Sequence, residues 1–183
     1  MFRWLLIFGT PLIIAALCGR PAVCQENADP KELYMQAVQT YQVNRHALKA
    51  TELFKAAAEL GNPDAQFSLG VLYEKGEGGL TKNAHDAIKW YEAAAINGNA
   101  NAAYNLGHIL AEGFGIKRNP ELAVKWYEKA ALLNHATAQY KLGSAYLEGV
   151  GVAKDRALAE QWIKKAAEGG EEDAILTLRL MTH

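Results

Sequence analysis

Ala87-Ile88-Lys89-Trp90-Tyr91-Glu92-Ala93-Ala94-Ala95 returns as Ala123-Val124-Lys125-Trp126-Tyr127-Glu128-Lys129-Ala130-Ala131, and again as Ala159-Glu160-Gln161-Trp162-Ile163-Lys164-Lys165-Ala166-Ala167. The three tryptophans stand 36 residues apart at each step. An earlier copy, Ala50-Thr51-Glu52-Leu53-Phe54-Lys55-Ala56-Ala57, has Leu53 in the Trp place. A second phrase keeps step with the first: Ala65-Gln66-Phe67-Ser68-Leu69-Gly70, Ala102-Ala103-Tyr104-Asn105-Leu106-Gly107 and Ala138-Gln139-Tyr140-Lys141-Leu142-Gly143. Its glycines are 37 and 36 residues apart, and the extra residue sits in the Gly76-Glu77-Gly78-Gly79 loop. A fixed period of this length marks a chain built from stacked supersecondary units.

Each unit reads as two helices. Ala65, Leu69, Leu72 and Tyr73 fall on one helical face, and Ala87, Trp90, Tyr91 and Ala94 do the same in the second half of the unit. Asp29-Pro30, Asn62-Pro63 and Asn119-Pro120 each set a capping side chain ahead of a proline at the first helical position. Glu32 completes a reciprocal capping box with Asp29. Gly61, Gly98 and Gly170, with Asn134 in the same role, close the second helices, where a left-handed residue is wanted. Gly70, Gly107 and Gly143 lie inside first helices at a cost of about 1 kcal/mol relative to Ala. That cost is tolerable if the missing side chain admits the partner helix. The Ala pairs answer it from the other side, while Trp and Tyr fill the space between units.

The phrase A-x-[FY]-x-L-G-x-x-[YL]-x-x-G-x-G, followed by the Trp phrase, resembles the Sel-1-like repeat, a branch of the tetratricopeptide superfamily. The match runs from about Ala47 to Ala174. The resemblance implies an all-α fold, a right-handed α-solenoid of stacked antiparallel helix pairs, with a concave face lined mainly by the first helices. The division expected is a signal peptide over 1–24 and a repeat domain over 25–183. Within that domain we expect a divergent first pair at 29–60, repeats at about 62–97, 99–133 and 135–169, and a capping helix at 171–181. Arg179 stands in the Gly position of the last copy, so that end caps the stack.

The first 24 residues read as an export signal. Arg3 precedes the apolar run from Trp4 to Cys18, and Ala22-Val23-Cys24 supplies small residues at the cleavage site. That run has 15 residues, short of the 18 or more a spanning helix needs. Cleavage is expected after Cys24, with Ala16-Leu17-Cys18 as the earlier alternative and an uncleaved anchor as the bland one. Leu17 and Val23 stand before the two cysteines where a lipobox wants Gly, Ala or Ser, so acylation is not expected. Cleavage after Cys24 removes both cysteines, and with them disulfide and thiol chemistry. It also leaves 17 basic residues against 20 acidic ones. They are scattered, whereas a phosphate-binding surface needs clustered Lys and Arg. Nucleic acid is therefore excluded as a partner.

The search for chemistry finds none that the repeat does not explain. Gly113-Phe114-Gly115, Gly149-Val150-Gly151 and Gly76-Glu77-Gly78-Gly79 recur in register, with no following Lys-Ser/Thr and no preceding strand, so they read as turns. His46, His85, His108, His135 and His183 show no i, i+4 metal spacing, and no Cys remains to help. His85 and His135 fall at loop or helix-end positions, where solvated histidine is ordinary. His108 differs, because it takes the place held by Val71 and Ser144 in neighbouring units and should look into the groove. Ser68 and Ser144 lack triad partners. Glu92 with Lys89 and Glu128 with Lys125 read as solvated i, i+3 pairs. No catalytic residue, metal site or cofactor is expected.

Phe67, Tyr104 and Tyr140 form an aromatic stripe at repeat spacing, read either as packing between units or as a ladder on the concave wall. The non-repeating residues beside it (Asp64, Val71, Glu74, Asn101, Asn105, His108, Lys141 and Ser144) would set partner choice. The expectation is a monomeric, non-enzymatic adaptor or scaffold in the bacterial envelope, periplasmic or secreted. It would hold a protein or peptide segment in its groove, with no stable membrane span after signal cleavage. Two rivals stand beside it. One is a β-lactam-binding or hydrolysing enzyme like the family's cysteine-rich members, whose disulfide in each repeat this chain lacks. The other is a purely architectural spacer.

Overall fold

The computed structural model describes residues 29–42 and 46–181. The export signal expected over 1–24 lies outside them. Every described element is a helix: α1 (Pro30–Gln42), α2 (Ala47–Glu59), α3 (Pro63–Lys75), α4 (Ala84–Ile96), α5 (Ala100–Glu112), α6 (Pro120–Leu132), α7 (Ala136–Glu148), α8 (Arg156–Glu168) and α9 (Glu172–Met181). No helix among the described residues is long and apolar enough to cross a membrane.

Capping side chains fix where these helices start. Asn62 accepts from the Ala65 N–H at 2.8 Å and Asn119 from the Leu122 N–H at 3.0 Å, as the Asn-Pro pairs foretell. Asn83, Asn99, His135 and Asp155 cap α4, α5, α7 and α8 in the same way. At α1 the reciprocal box does not close. Asp29 accepts from the Lys31 N–H, and Glu32 instead takes a hydrogen bond from Gln36, its i+4 neighbour on an exposed face. The ends are equally local. Gly61, Gly98, Gly170 and Asn134 all have positive φ, the conformation the sequence asks for at the close of each second helix.

Each helix packs mainly on the helices before and after it, most heavily within a pair, which is the contact pattern of a solenoid. The core is small side chains in number and a few large ones in volume. Ala94, Ala95, Ala102, Ala130 and Ala138 are buried together with Leu106, Tyr127 and Leu142. The mid-helix glycines now have a specific partner. A Cβ on Gly107 would lie 2.7 Å from the Tyr127 ring, one on Gly70 2.5 Å from the Tyr91 ring, and one on Gly143 2.6 Å from Ile163. The residue after each Trp therefore fills the gap, and Tyr91 and Ile163 are 0% exposed. The three repeat tryptophans, Trp90, Trp126 and Trp162, stay half-buried. Trp162 on α8 packs against the core of the units ahead of it, and Trp90 does so on α4.

The Gly loops do more than turn. Gly151 has φ +72, and a Cβ there would meet the Pro120 carbonyl oxygen at 2.3 Å. The loop of one unit is pressed onto the start of the second helix of the unit before. Its counterpart Gly115 sits against Ala84 in the same manner. Only a residue without a side chain allows both the left-handed backbone and that approach.

Side chains then tie unit to unit. The Asn99 amide donates to Asp64 and the Asn97 amide to Gln66, each at 2.9 Å. Tyr41 donates to Glu77, and Thr137 donates to Glu171 at 2.7 Å.

Candidate interaction face

The first helices α1, α3, α5 and α7 carry the aromatic stripe, and the structure shows that it begins earlier than Phe67. Tyr34 stands four residues after Pro30 as Phe67 stands four after Pro63, so the stripe reads Tyr34, Phe67, Tyr104, Tyr140. Each ring after Tyr34 is half-buried and has a packing duty. Phe67 lies 5.8 Å from Tyr91 and Tyr104 lies 6.0 Å from Tyr127, centroid to centroid. The Tyr140 hydroxyl reaches Thr177 on α9 at 3.4 Å. Inter-unit packing and partial exposure are thus both true of the stripe.

Two clefts open beside it. The first, of about 290 Å³, is lined by Tyr34, Val38 and Tyr41 on α1, Phe54 on α2, and Phe67, Ser68, Val71 and Lys75 on α3, with Glu77 at its rim. The second, of about 310 Å³, is lined by His108 and Glu112 on α5, Tyr127 on α6, and Tyr140, Lys141, Ser144 and Glu148 on α7, with Arg118 and Val150 from the loops. They are the same cleft two units apart. Phe54 answers to Tyr127, Phe67 to Tyr140, Ser68 to Lys141, Val71 to Ser144 and Val38 to His108.

The residues expected to contact a partner divide accordingly. His108, Tyr140, Lys141 and Ser144 meet in the second cleft, and Phe67 and Val71 in the first. Tyr104 is in ring contact with two histidines, stacked on His135 at 4.7 Å and parallel to His108 at 6.2 Å. Glu74 accepts a hydrogen bond from the Tyr91 hydroxyl, and Asn105 reaches the same hydroxyl from the next unit. Burial first, then Glu74, drives the Tyr91 phenol well above its usual range against the opposing Asn105 hydrogen bond, so it stays protonated and donates. Glu74 lines a third hollow with Ile109 and Phe114. Asn101 is exposed on the first turn of α5 and lines none of these clefts.

Sequence reasoning missed Glu112, Arg118 and Glu148. The register could have shown them, since Glu112 and Glu148 stand one turn beyond His108 and Ser144. It also misplaced His135 among solvated histidines. His135 is half-buried, and its Nδ1 accepts from the Ala138 N–H at 3.2 Å. Among the described residues no group of three or more His, Cys, Asp and Glu side chains is placed to hold a metal.

A model of the Sel1 repeat matches four successive segments, residues 43–62, 63–99, 100–135 and 136–171. The chain belongs to the Sel1 repeat family. Sel1 repeats mediate protein–protein interaction and are typically scaffolds without catalysis. Solved structures agree on the fold. A Sel1 repeat protein from Oxalobacter formigenes is 30% identical, with a TM-score of 0.74 over 82% of this chain and 62% of its own. A protective antigen present in uropathogenic Escherichia coli strains, displaying the same repeat fold, is 29% identical, with a TM-score of 0.78 over 82% of this chain and 32% of its own. The Helicobacter pylori cysteine rich protein B is 25% identical, with a TM-score of 0.57 over 76% of this chain and 99% of its own. The chain thus spans less than two thirds of the first two of these. No curated protein matches it.

Proposed function

We propose that this Sel1 repeat chain is an envelope adaptor that acts as a monomer and holds a segment of another protein against its first helices, across the two clefts. The observation that carries the reading is the polar lining of the second cleft. Glu112, Arg118, Lys141, Ser144 and Glu148 converge there, and no side-chain hydrogen bond among the described residues engages them. Charged groups gathered on a concavity with their side-chain hydrogen-bonding capacity unused are available to an incoming chain. In a binding site they give orientation and partner choice more than raw affinity. Action outside the cytoplasm is supported by the order of charge, apolar run and small residues over 1–24.

The test is capture of partners from envelope extract by the mature chain, compared with the His108→Ala/Lys141→Ala variant. Lys141 is exposed and His108 half-buried, so the variant should keep its melting temperature within about 2 °C, as for substitutions outside the core. A stoichiometric partner lost on substitution supports the assignment. A partner retained by the variant overturns it.

A further inference from the structure

Helices α3, α5 and α7 share one capping position, and one residue there differs in kind. Asn62 accepts from the Ala65 N–H at 2.8 Å, Asn99 from the Ala102 N–H at 2.9 Å, and His135 from the Ala138 N–H at 3.2 Å. An amide oxygen accepts a hydrogen bond at any pH. An imidazole Nδ1 accepts only while the ring is neutral, because both nitrogens of the charged ring are donors.

The surroundings of His135 act on that choice from several sides. Toward α5 its ring stacks on Tyr104 at 4.7 Å and 15°, and the same tyrosine lies parallel to His108 at 6.2 Å. Toward α6 it is held by the main chain, its N–H donating to the Ala130 carbonyl at 3.1 Å. Toward α9 stands Glu171, whose carboxylate accepts from Thr137 and attracts a charged ring. Ahead of it lie the unpaired amides and positive end of α7, which repel one. Burial wins this contest and holds the His135 imidazole below its ordinary pKa, against a hydrogen bond to the residue's own backbone and the charge of Glu171, which both raise it.

We propose that His135 is an acid-released latch between the third and fourth units. Neutral, it caps α7 and stacks on Tyr104. Protonated, it drops the Ala138 N–H, turns toward Glu171 and frees the Tyr104 ring, which also packs beside His108 at the edge of the second cleft. The sign follows from linkage. The folded-state pKa lies below the unfolded one, so the stabilisation is complete above about pH 6.5 and is lost as pH falls through the folded value. Units capped by Asn62 and Asn99 have no such response.

Thermal melting between pH 7.5 and pH 5 of the wild type, His135→Asn and His135→Ala tests this. Asn restores the cap of the preceding units, so the wild type should fall behind His135→Asn by a further 2–4 °C or so on acidification, the size of one lost cap in a chain of this length. His135→Ala should melt below the wild type at pH 7.5 and draw level with it at pH 5. In NMR titrations, the Ala138 amide and the Tyr104 ring should follow the His135 midpoint. Parallel melting of wild type and His135→Asn over the whole range, or an Ala138 amide indifferent to the His135 titration, overturns the latch. Neither measurement uses a partner, so the latch and the proposed binding face fail separately.

Discussion

The cleft between α1 and α3 and the cleft between α5 and α7 occupy one place in the repeat and have different linings. Tyr34, Val38, Tyr41, Phe54, Phe67 and Val71 make the first mostly apolar. His108, Glu112, Arg118, Lys141, Ser144 and Glu148 make the second about half polar. Their frames are alike: Leu69 and Leu142, one residue before the mid-helix glycines, are both 0% exposed. Close packing leaves the frame no freedom, because a Cβ at Gly70 or Gly143 collides with the second helix. The lining faces solvent, so it varies from unit to unit without loss of fold. The two ends of one scaffold therefore offer different chemistry to whatever lies along it.

The largest expected effect tests whether the frames are equivalent. Leu69→Ala and Leu142→Ala should each cost about 3 kcal/mol in chemical denaturation, since both delete a fully buried side chain. A difference of more than about 2 kcal/mol between them would mean that the two regions are not packed alike, given the spread of such cavity costs.

Next come the caps. Asn62→Ala and His135→Ala should each cost about 1 kcal/mol at pH 7.5. At pH 5 the first penalty should persist and the second should vanish, which melting at the two pH values would show.

The smallest effect on stability is expected in the lining. Lys141→Ser gives the second cleft the residue that Ser68 gives the first. It should change stability by no more than about 0.5 kcal/mol. Partner capture by this variant, compared with Phe67→Ala, would show which cleft sets specificity.

Much of the frame was legible because packing is periodic and leaves periodic marks. The Trp phrase, the mid-helix glycines and the left-handed closers at Gly61, Gly98 and Asn134 each follow from contacts within one unit or with the next. The site was less legible. His135 was read as a solvated helix-end residue, since its burial depends on Tyr104, 31 residues earlier in the chain. The reciprocal box at Asp29 was expected from spacing, but Glu32 had a nearer partner in Gln36. Glu112 and Glu148 carry no mark of their own in the sequence, because only the packing of α5 beside α7 brings them to one cleft.

The sequence by itself determined the repeat length, the alternation of first and second helices and the positions of the glycines. These are short-range matters of helical period, capping and steric size. Only the tertiary structure decided that Phe54 and Tyr127 floor equivalent clefts, that the Gly151 loop rests on Pro120, and that an imidazole fills at α7 the cap that asparagine holds at α3 and α5. Each of those depends on which side chains from different units meet, and that is set by the stacking of one pair on the next.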